Sequence, residues 1–237
     1  GGEKLAIEWQ SFSIGPDGTV RFDQPGRGSI ALNRVTGDQI SSIRGELAPN
    51  GGIFLINPNG VVFGADAQVD VGALAASTRD LSNEDFFNGN YTFTGSNSNA
   101  VINHGTIRAR DGGCVALIAA EIVNTGTIIA DEGAVLAGAS DRVTLDLGGP
   151  VSIEVDKGTL EARIEQGGVI RADGGRIYMA AEAADELSSS VINHNGISRA
   201  RTLATGDDGS IVLKGDMANG TVKVAGSLDA SAPDGGD

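Results

Sequence analysis

Ile102-Asn103-His104-Gly105-Thr106-Ile107 and Val123-Asn124-Thr125-Gly126-Thr127-Ile128 align at an offset of 21 residues. Residues 166–170 and 192–197 extend the pattern, each with an Asn or Gln four positions before an Ile. This reading places Asn103, Asn124, Gln166 and Asn193 in one register, spaced 21, 42 and 27 residues apart. A second pattern, Asp-x-Gly-x-apolar-x-apolar or Ala, begins at Asp111, Asp131, Asp173 and Asp207. Within it Val115, Val135, Ile177 and Ile211 share one position, and Leu117, Ala137, Met179 and Leu213 share the position two further on. A period of two marks a strand with one buried face. A repeat of about 21 residues, built of short strands and Gly/Asn/Asp turns with no helical period between them, predicts one coil of a parallel β-helix; the Leu-x-x-Leu-x-Leu signature of leucine-rich repeats is absent. Successive coils stack like neighbouring strands, roughly 4.8 Å apart, so equivalent residues form ladders and the Asn positions are expected to bond along the stack.

Composition agrees with this reading. The chain of 237 residues carries 36 Gly and only 4% aromatics, which disfavours a helical architecture, while 40% apolar residues are enough for a core. A net charge of −14 argues against nucleic acid or an anionic membrane as the main partner. No apolar run reaches the roughly 18 residues of a membrane span. The lone Cys114 excludes an intramolecular disulfide and a multi-cysteine metal site. It aligns with Ala134, Arg176 and Ser210; because Arg occupies that row, an exposed thiol is expected. Residues 82–85 read as a capping box, residues 180–187 as one or two helical turns, and the stretch 198–206 as a projecting loop. Strands are expected at 5–9, 20–22, 29–32, 53–56 and 61–63, forming the first coils and a capping sheet, with Trp9, Phe12 and Phe22 in the core.

Asn57-Pro58-Asn59-Gly60, between two apolar strands, has the residues of a type I turn. It is also one of four stretches that together resemble a known family. Trp9-Gln10-Ser11-Phe12-Ser13-Ile14, Ser29-Ile30-Ala31-Leu32-Asn33-Arg34-Val35-Thr36-Gly37, Phe54-Leu55-Ile56-Asn57-Pro58-Asn59-Gly60-Val61 and Ala76-Ser77-Thr78-Arg79-Asp80-Leu81-Ser82-Asn83 are similar, in order and spacing, to the two-partner secretion domain. That domain opens filamentous-haemagglutinin-like and high-molecular-weight adhesin-like exoproteins of Gram-negative bacteria. The resemblance covers almost the whole chain. It implies an all-β, right-handed, single-stranded parallel β-helix with extra-helical strands or hairpins. It also implies Sec export, recognition in the periplasm by the POTRA domains of a dedicated outer-membrane transporter, and a secreted or cell-surface destination. The transporter-recognition residues it implies are Asn57, Pro58, Asn59 and Gly60, with Asn33 and Arg34 from a second recurrent motif. Only eight residues precede Trp9, fewer than the family carries there, so an incomplete N-terminal cap is expected.

The chain is accordingly read as one domain over 1–237, with N-terminal coils and capping strands over 1–75 and stacked coils with insertions over 76–237, the front part of a longer exported and monomeric protein. Catalytic, cofactor and metal residues are not expected. His104 and His194 are read at one repeat position and taken as turn residues. Asp111, Asp131 and Asp173 are read as turn carboxylates, without the nonapeptide of calcium-binding β-rolls. The alternatives are an adhesive domain that binds host glycan or protein through the 198–206 loop and a carbohydrate-active β-helix enzyme; one carboxylate per coil without a basic cluster disfavours the enzyme. The passenger's role (adhesin, contact-dependent toxin, haemolysin or haem acquisition) stays open.

Overall fold

The computed structural model describes residues 3–148, 151–184, 188–203 and 209–232. The chain winds through eight coils whose strands stack into three parallel sheets. The first face has eight strands, from Lys4–Trp9 to Ser210–Lys214; the second has seven, from Ser41–Ile43 to Gly220–Val224; the third has eight, from Thr19–Val20 to Ser227–Asp229. In each coil the chain passes from face one through face two to face three, so neighbours in a sheet are one coil apart in sequence.

The apolar rows fall as expected. Val115, Val135, Ile177 and Ile211 are paired coil to coil, as are Leu117, Ala137, Met179 and Leu213, and both rows point into the solenoid core. The first 63 residues build coils rather than a separate capping sheet: Lys4–Trp9, Ile30–Val35 and Gly52–Ile56 are the first three strands of face one. Trp9, Phe12 and Phe22 pack at the front of the core, with ring centroids 5.5 Å apart for Trp9 and Phe12 and 6.5 Å for Phe12 and Phe22.

The polar ladder differs from its predicted register by one residue in its last rung. Asn103 pairs with Asn124, Asn124 with Gln166, and Gln166 with His194. His194, and not Asn193, therefore lies inside, and His104 is an exposed turn residue of a different row. Asn103 Nδ2 donates to Asn124 Oδ1 at 2.8 Å, and Asn124 Nδ2 to Gln166 Oε1 at 2.7 Å. Glycines two residues beyond the ladder set this register. A Cβ on Gly126 would lie 2.1 Å from the carbonyl oxygen of Gly105; on Gly168, 2.1 Å from that of Gly126; on Gly196, 2.2 Å from that of Gly168. The backbones meet where no side chain fits, so coils align on glycine. Counting back from Gly196 gives His194, whereas counting back from Ile197 misleads: Ile197 faces solvent and Ser198 takes the inward place beside Ile170.

Two insertions lie outside the solenoid. The first contains the helix Asn83–Asn88, capped by Ser82, whose Oγ accepts from Asp85 N at 3.0 Å and donates to Asp85 Oδ2 at 2.7 Å, so the expected N-cap forms, with the Asp85 carboxylate held by the Ser82 hydroxyl. The strand Tyr91–Thr94 follows and joins Arg142–Asp146 and Ser152–Lys157 of the second insertion in an antiparallel sheet. Together they cover the outward side of face one, where Phe54 meets Phe86, Tyr91 and Phe93 at centroid distances of 5.9, 5.1 and 5.9 Å. A face buried on both sides explains the unbroken apolar run Ile53-Phe54-Leu55-Ile56.

The cover also corrects the reading of Cys114. Its row does face outward, but face one of coils two to six lies beneath the insertions, so Cys114 in coil five is buried in the second core and burial pushes its thiol up to about 12. Arg176, two coils further on, is exposed. The thiol is therefore protonated and unreactive at neutral pH. Ala180 and Ala181 end a strand and Ala183 forms a parallel bridge with Thr159, in place of the expected helical turns; residues 185–187 lie outside the described residues. So do Asp207 and residues 204–206 of the expected projecting loop.

Candidate functional site

The four motif stretches, scattered over residues 9–83, meet at one corner. Glu8, Arg34, Ile56 and Ser77 occupy one row of face one in consecutive coils, so the turns that leave this face in coils one to four stack on one another. A row near the ends of adjacent strands converts sequence separation into contact.

Asn33 points into the solenoid and is fully buried. Its Oδ1 accepts from Trp9 Nε1 at 3.0 Å and its Nδ2 donates to Ala31 O at 3.1 Å, so it ties the first motif to the second. Arg34 points outward, yet its side chain is only 14% exposed. Its Nε donates to Asp80 Oδ1 at 2.8 Å, its Nη1 to Asn83 Oδ1 at 2.8 Å and its Nη2 to the Leu81 carbonyl, with Glu8 3.7 Å away. The planar fork thus fastens the entry to the extra-helical helix onto coil two, a geometry that a lysine ammonium does not reproduce.

Asn57-Pro58-Asn59-Gly60 closes as the predicted turn, with Gly60 N donating to Asn57 O at 3.0 Å. Gly60 has φ of 122°, a backbone setting that favours glycine. Asn57 is fully buried: its Nδ2 donates to Gln39 O at 2.9 Å and Ser41 Oγ at 3.0 Å, and its Oδ1 accepts from Asn59 N at 2.9 Å. Asn59 Nδ2 donates to Gly37 O at 2.8 Å and to Asn57 Oδ1 at 3.1 Å. Both asparagines therefore grip the turn of the preceding coil. Pro58 is exposed, and its carbonyl accepts from Asn99 Nδ2 at 2.8 Å. The outer surface of the corner is made by Pro58 with Thr36, Asp38, Gln39 and Ile40, all exposed.

Arg79, which carried no role in the sequence reading, is the organising charge behind the corner. Its side chain is 0% exposed. Nε donates to Ser140 O at 2.7 Å, Nη1 to Asn97 O at 2.8 Å, and Nη2 to Asp141 Oδ1 at 3.3 Å. Burial pulls its pKa down and Asp141 opposes the shift; an arginine keeps its charge in such a site. One guanidinium therefore joins coil four to the segment leading out of the first insertion and to the start of the second. A lone Arg among polar residues has no period to betray it.

The model of the TPS secretion domain matches residues 1–229. The chain belongs to the TPS secretion domain family. It is 34% identical over 222 residues to a heme/hemopexin-binding protein of Haemophilus influenzae, an alignment that covers 89% of this chain and 24% of that protein. A second heme/hemopexin-binding protein of H. influenzae is 42% identical over 94 residues, 40% of this chain and 10% of that one. The chain thus spans about a quarter or less of the curated relatives it matches. Among solved structures, the HMW1 secretion domain of H. influenzae superposes with a TM-score of 0.72 at 26% identity, over 98% of this chain and 70% of that one. The stacked parallel sheets are therefore the β-helix of a TPS domain, as the motif resemblance implied.

Asp131, Asp173, His104 and His194, among the remaining polar candidates in this TPS domain, each have a side-chain partner. Arg171 Nε and Nη2 donate to Asp131 Oδ1 and Oδ2 at 3.0 and 2.5 Å, and Arg199 repeats the arrangement on Asp173 at the same distances. Asp131 and Asp173, two of the three carboxylates read as turn residues, are thus forked to an arginine one coil on, an arrangement with the geometry of a strong pair, while Asp111 is exposed. Among the described residues no group of three or more His, Cys, Asp or Glu side chains converges as a metal site would require. His104 Nδ1 lies 2.6 Å from Thr125 Oγ1 on the surface. His194 Nε2 lies 2.8 Å from Ser198 Oγ, but both side chains are fully buried, which leaves no path for a substrate to reach the pair.

Proposed function

We propose that the chain is the secretion module of a longer exported protein, that the POTRA domains of an outer-membrane transporter read its face-one corner, and that its coils template those that fold behind them. The convergence of the four motifs at this corner carries the proposal: turns from four coils are held in fixed relative positions by Asn33, Arg34, Asn57 and Asn59, which makes a rigid surface from loops. Such rigidity suits recognition, because little ordering entropy is lost on docking. In templating, each emerging coil adds to an existing edge and closes only a local loop. The passenger, by similarity to the heme/hemopexin-binding relatives, is part of a large secreted protein.

Asn59→Ala separates recognition from stability. It removes two hydrogen bonds of a half-buried amide, so a loss of about 1–2 kcal/mol is expected, a fall of only a few degrees in thermal midpoint for a domain of this size. Export of the full-length protein should fall several-fold more than that loss of folded protein accounts for. Secretion, POTRA binding and thermal midpoint measured on the one variant decide the matter; export falling only in step with the midpoint would return residues 57–60 to a purely structural turn.

A further inference from the structure

The inner polar ladder ends at an unbalanced group. Asn103, Asn124 and Gln166 each pass a hydrogen bond onward, and Gln166 Nε2 donates to the carbonyls of Gly168 and Ile197 at 3.0 and 3.4 Å. His194, the next rung, is fully buried; its Nε2 meets Ser198 Oγ at 2.8 Å and its Nδ1 has no partner. Behind it in the row stands Val224. We propose that the His194–Ser198 pair is an acid-sensitive latch, which holds the rear coils closed at neutral pH and opens them in mild acid.

The surroundings explain the sensitivity. A neutral imidazole satisfied at one nitrogen is tolerable in an apolar interior, whereas an imidazolium has two N–H donors and a charge that the interior must balance. The rows facing inward on the packed strands are Ala162, Ile164 and Gln166 from the coil in front, Ile177, Met179 and Ala181 from face one, Ile170 and Ser198 from face three, and Val222 and Val224 from the coil behind. None is ionisable. The charged side chains on these strands, Glu161, Arg163, Glu165, Arg171, Arg176, Arg199 and Lys223, occupy the alternate, outward rows. Glu165 is engaged there by Arg163 Nε and Asn193 Nδ2, each at 2.7 Å. Burial accordingly draws the imidazole's pKa below its ordinary value of 6.5. The sign follows: an unfolded or opened coil takes up the proton first, so the contribution is present above about pH 6.5 and is lost as pH falls below it. Opening is local because coils contact only their neighbours.

Hydrogen exchange, corrected for its intrinsic pH dependence, tests the latch on this chain and on the His194→Gln and His104→Gln variants. Gln continues the ladder of Asn103, Asn124 and Gln166 and does not titrate. Protection over residues 189–203 and 210–229, relative to 100–139, should fall between pH 7.5 and 5.5 in the parent, by at most about tenfold, the limit for one proton with a free value near 6.5. His104→Gln should behave like the parent, and His194→Gln should show no differential fall. An unchanged ratio in the parent, or the same fall in His194→Gln, overturns the proposal. Should that variant not fold, NMR titration of the parent decides: His194 taking up its proton near pH 6.5 with the rear coils still protected contradicts the latch, and His194 remaining neutral until they open supports it.

Discussion

Val135→Asp should destabilise this domain by about 4 kcal/mol or more and leave much of it unfolded at 37 °C, because it places a carboxylate where no polar partner exists. Val135 is 2% exposed and sits between Val115 and Ile177 in the innermost row of face one. Protonating the new carboxyl removes its charge but leaves its hydrogen bonds unmade, so lowering pH restores only part of the loss. Arg176→Ala, at an exposed outward position one coil on, should stay within about 0.5 kcal/mol of the parent. Denaturant midpoints compare the two directly; a Val135→Asp midpoint as close to the parent as that of Arg176→Ala would mean that the register of the coils is wrong.

Arg79→Met should cost about 3–5 kcal/mol, as expected when one partner of a buried ionic network is removed. Methionine keeps the length and apolar stem but removes the guanidinium's hydrogen bonds to Asp141 and to the carbonyls of Ser140 and Asn97. The thermal midpoint should fall by roughly 6–20 °C for a domain of this size. Arg79→Lys should rescue only part of it, since an ammonium does not reach three separated acceptors as the guanidinium fork does. A midpoint within 2 °C of the parent for Arg79→Met would show that the three segments are held together by the apolar cover alone.

The contrast between these two residues shows what was legible in the sequence. Val135 was readable because coils repeat: three other residues occupy its place, and the period of two identifies the buried side. The ladder was readable to the same extent and failed where the repeat changed length, between Gln166 and His194. There the apolar Ile197 looked like the core residue, while the close approach of Gly168 and Gly196 set the register and turned His194 and Ser198 inward. Glycine spacing was the better signal, because backbone contact tolerates no substitution whereas an inward position tolerates Asn, Gln or His. Cys114 was misread for a different reason. Its row faces away from the solenoid, but the cover over it comes from residues 83–94 and 142–157, and no local pattern reports packing against a distant insertion. At the corner, the motifs were recognisable by resemblance, yet the inward direction of Asn57 and Asn59 and the reach of Arg34 to residues 80–83 emerge only once the coils stack.

The proposed function requires that a transporter recognise this corner in its folded form. Equilibrium binding of the chain to the purified POTRA domains of a candidate outer-membrane transporter tests this, repeated with Asn59→Ala and with the chain unfolded in denaturant and diluted immediately before mixing. Saturable binding is expected of the folded chain, and weaker binding of Asn59→Ala at a temperature where both are folded. The unfolded chain should bind only as fast as it refolds. Absence of binding by the folded chain, or binding indifferent both to Asn59 and to folding, would contradict it.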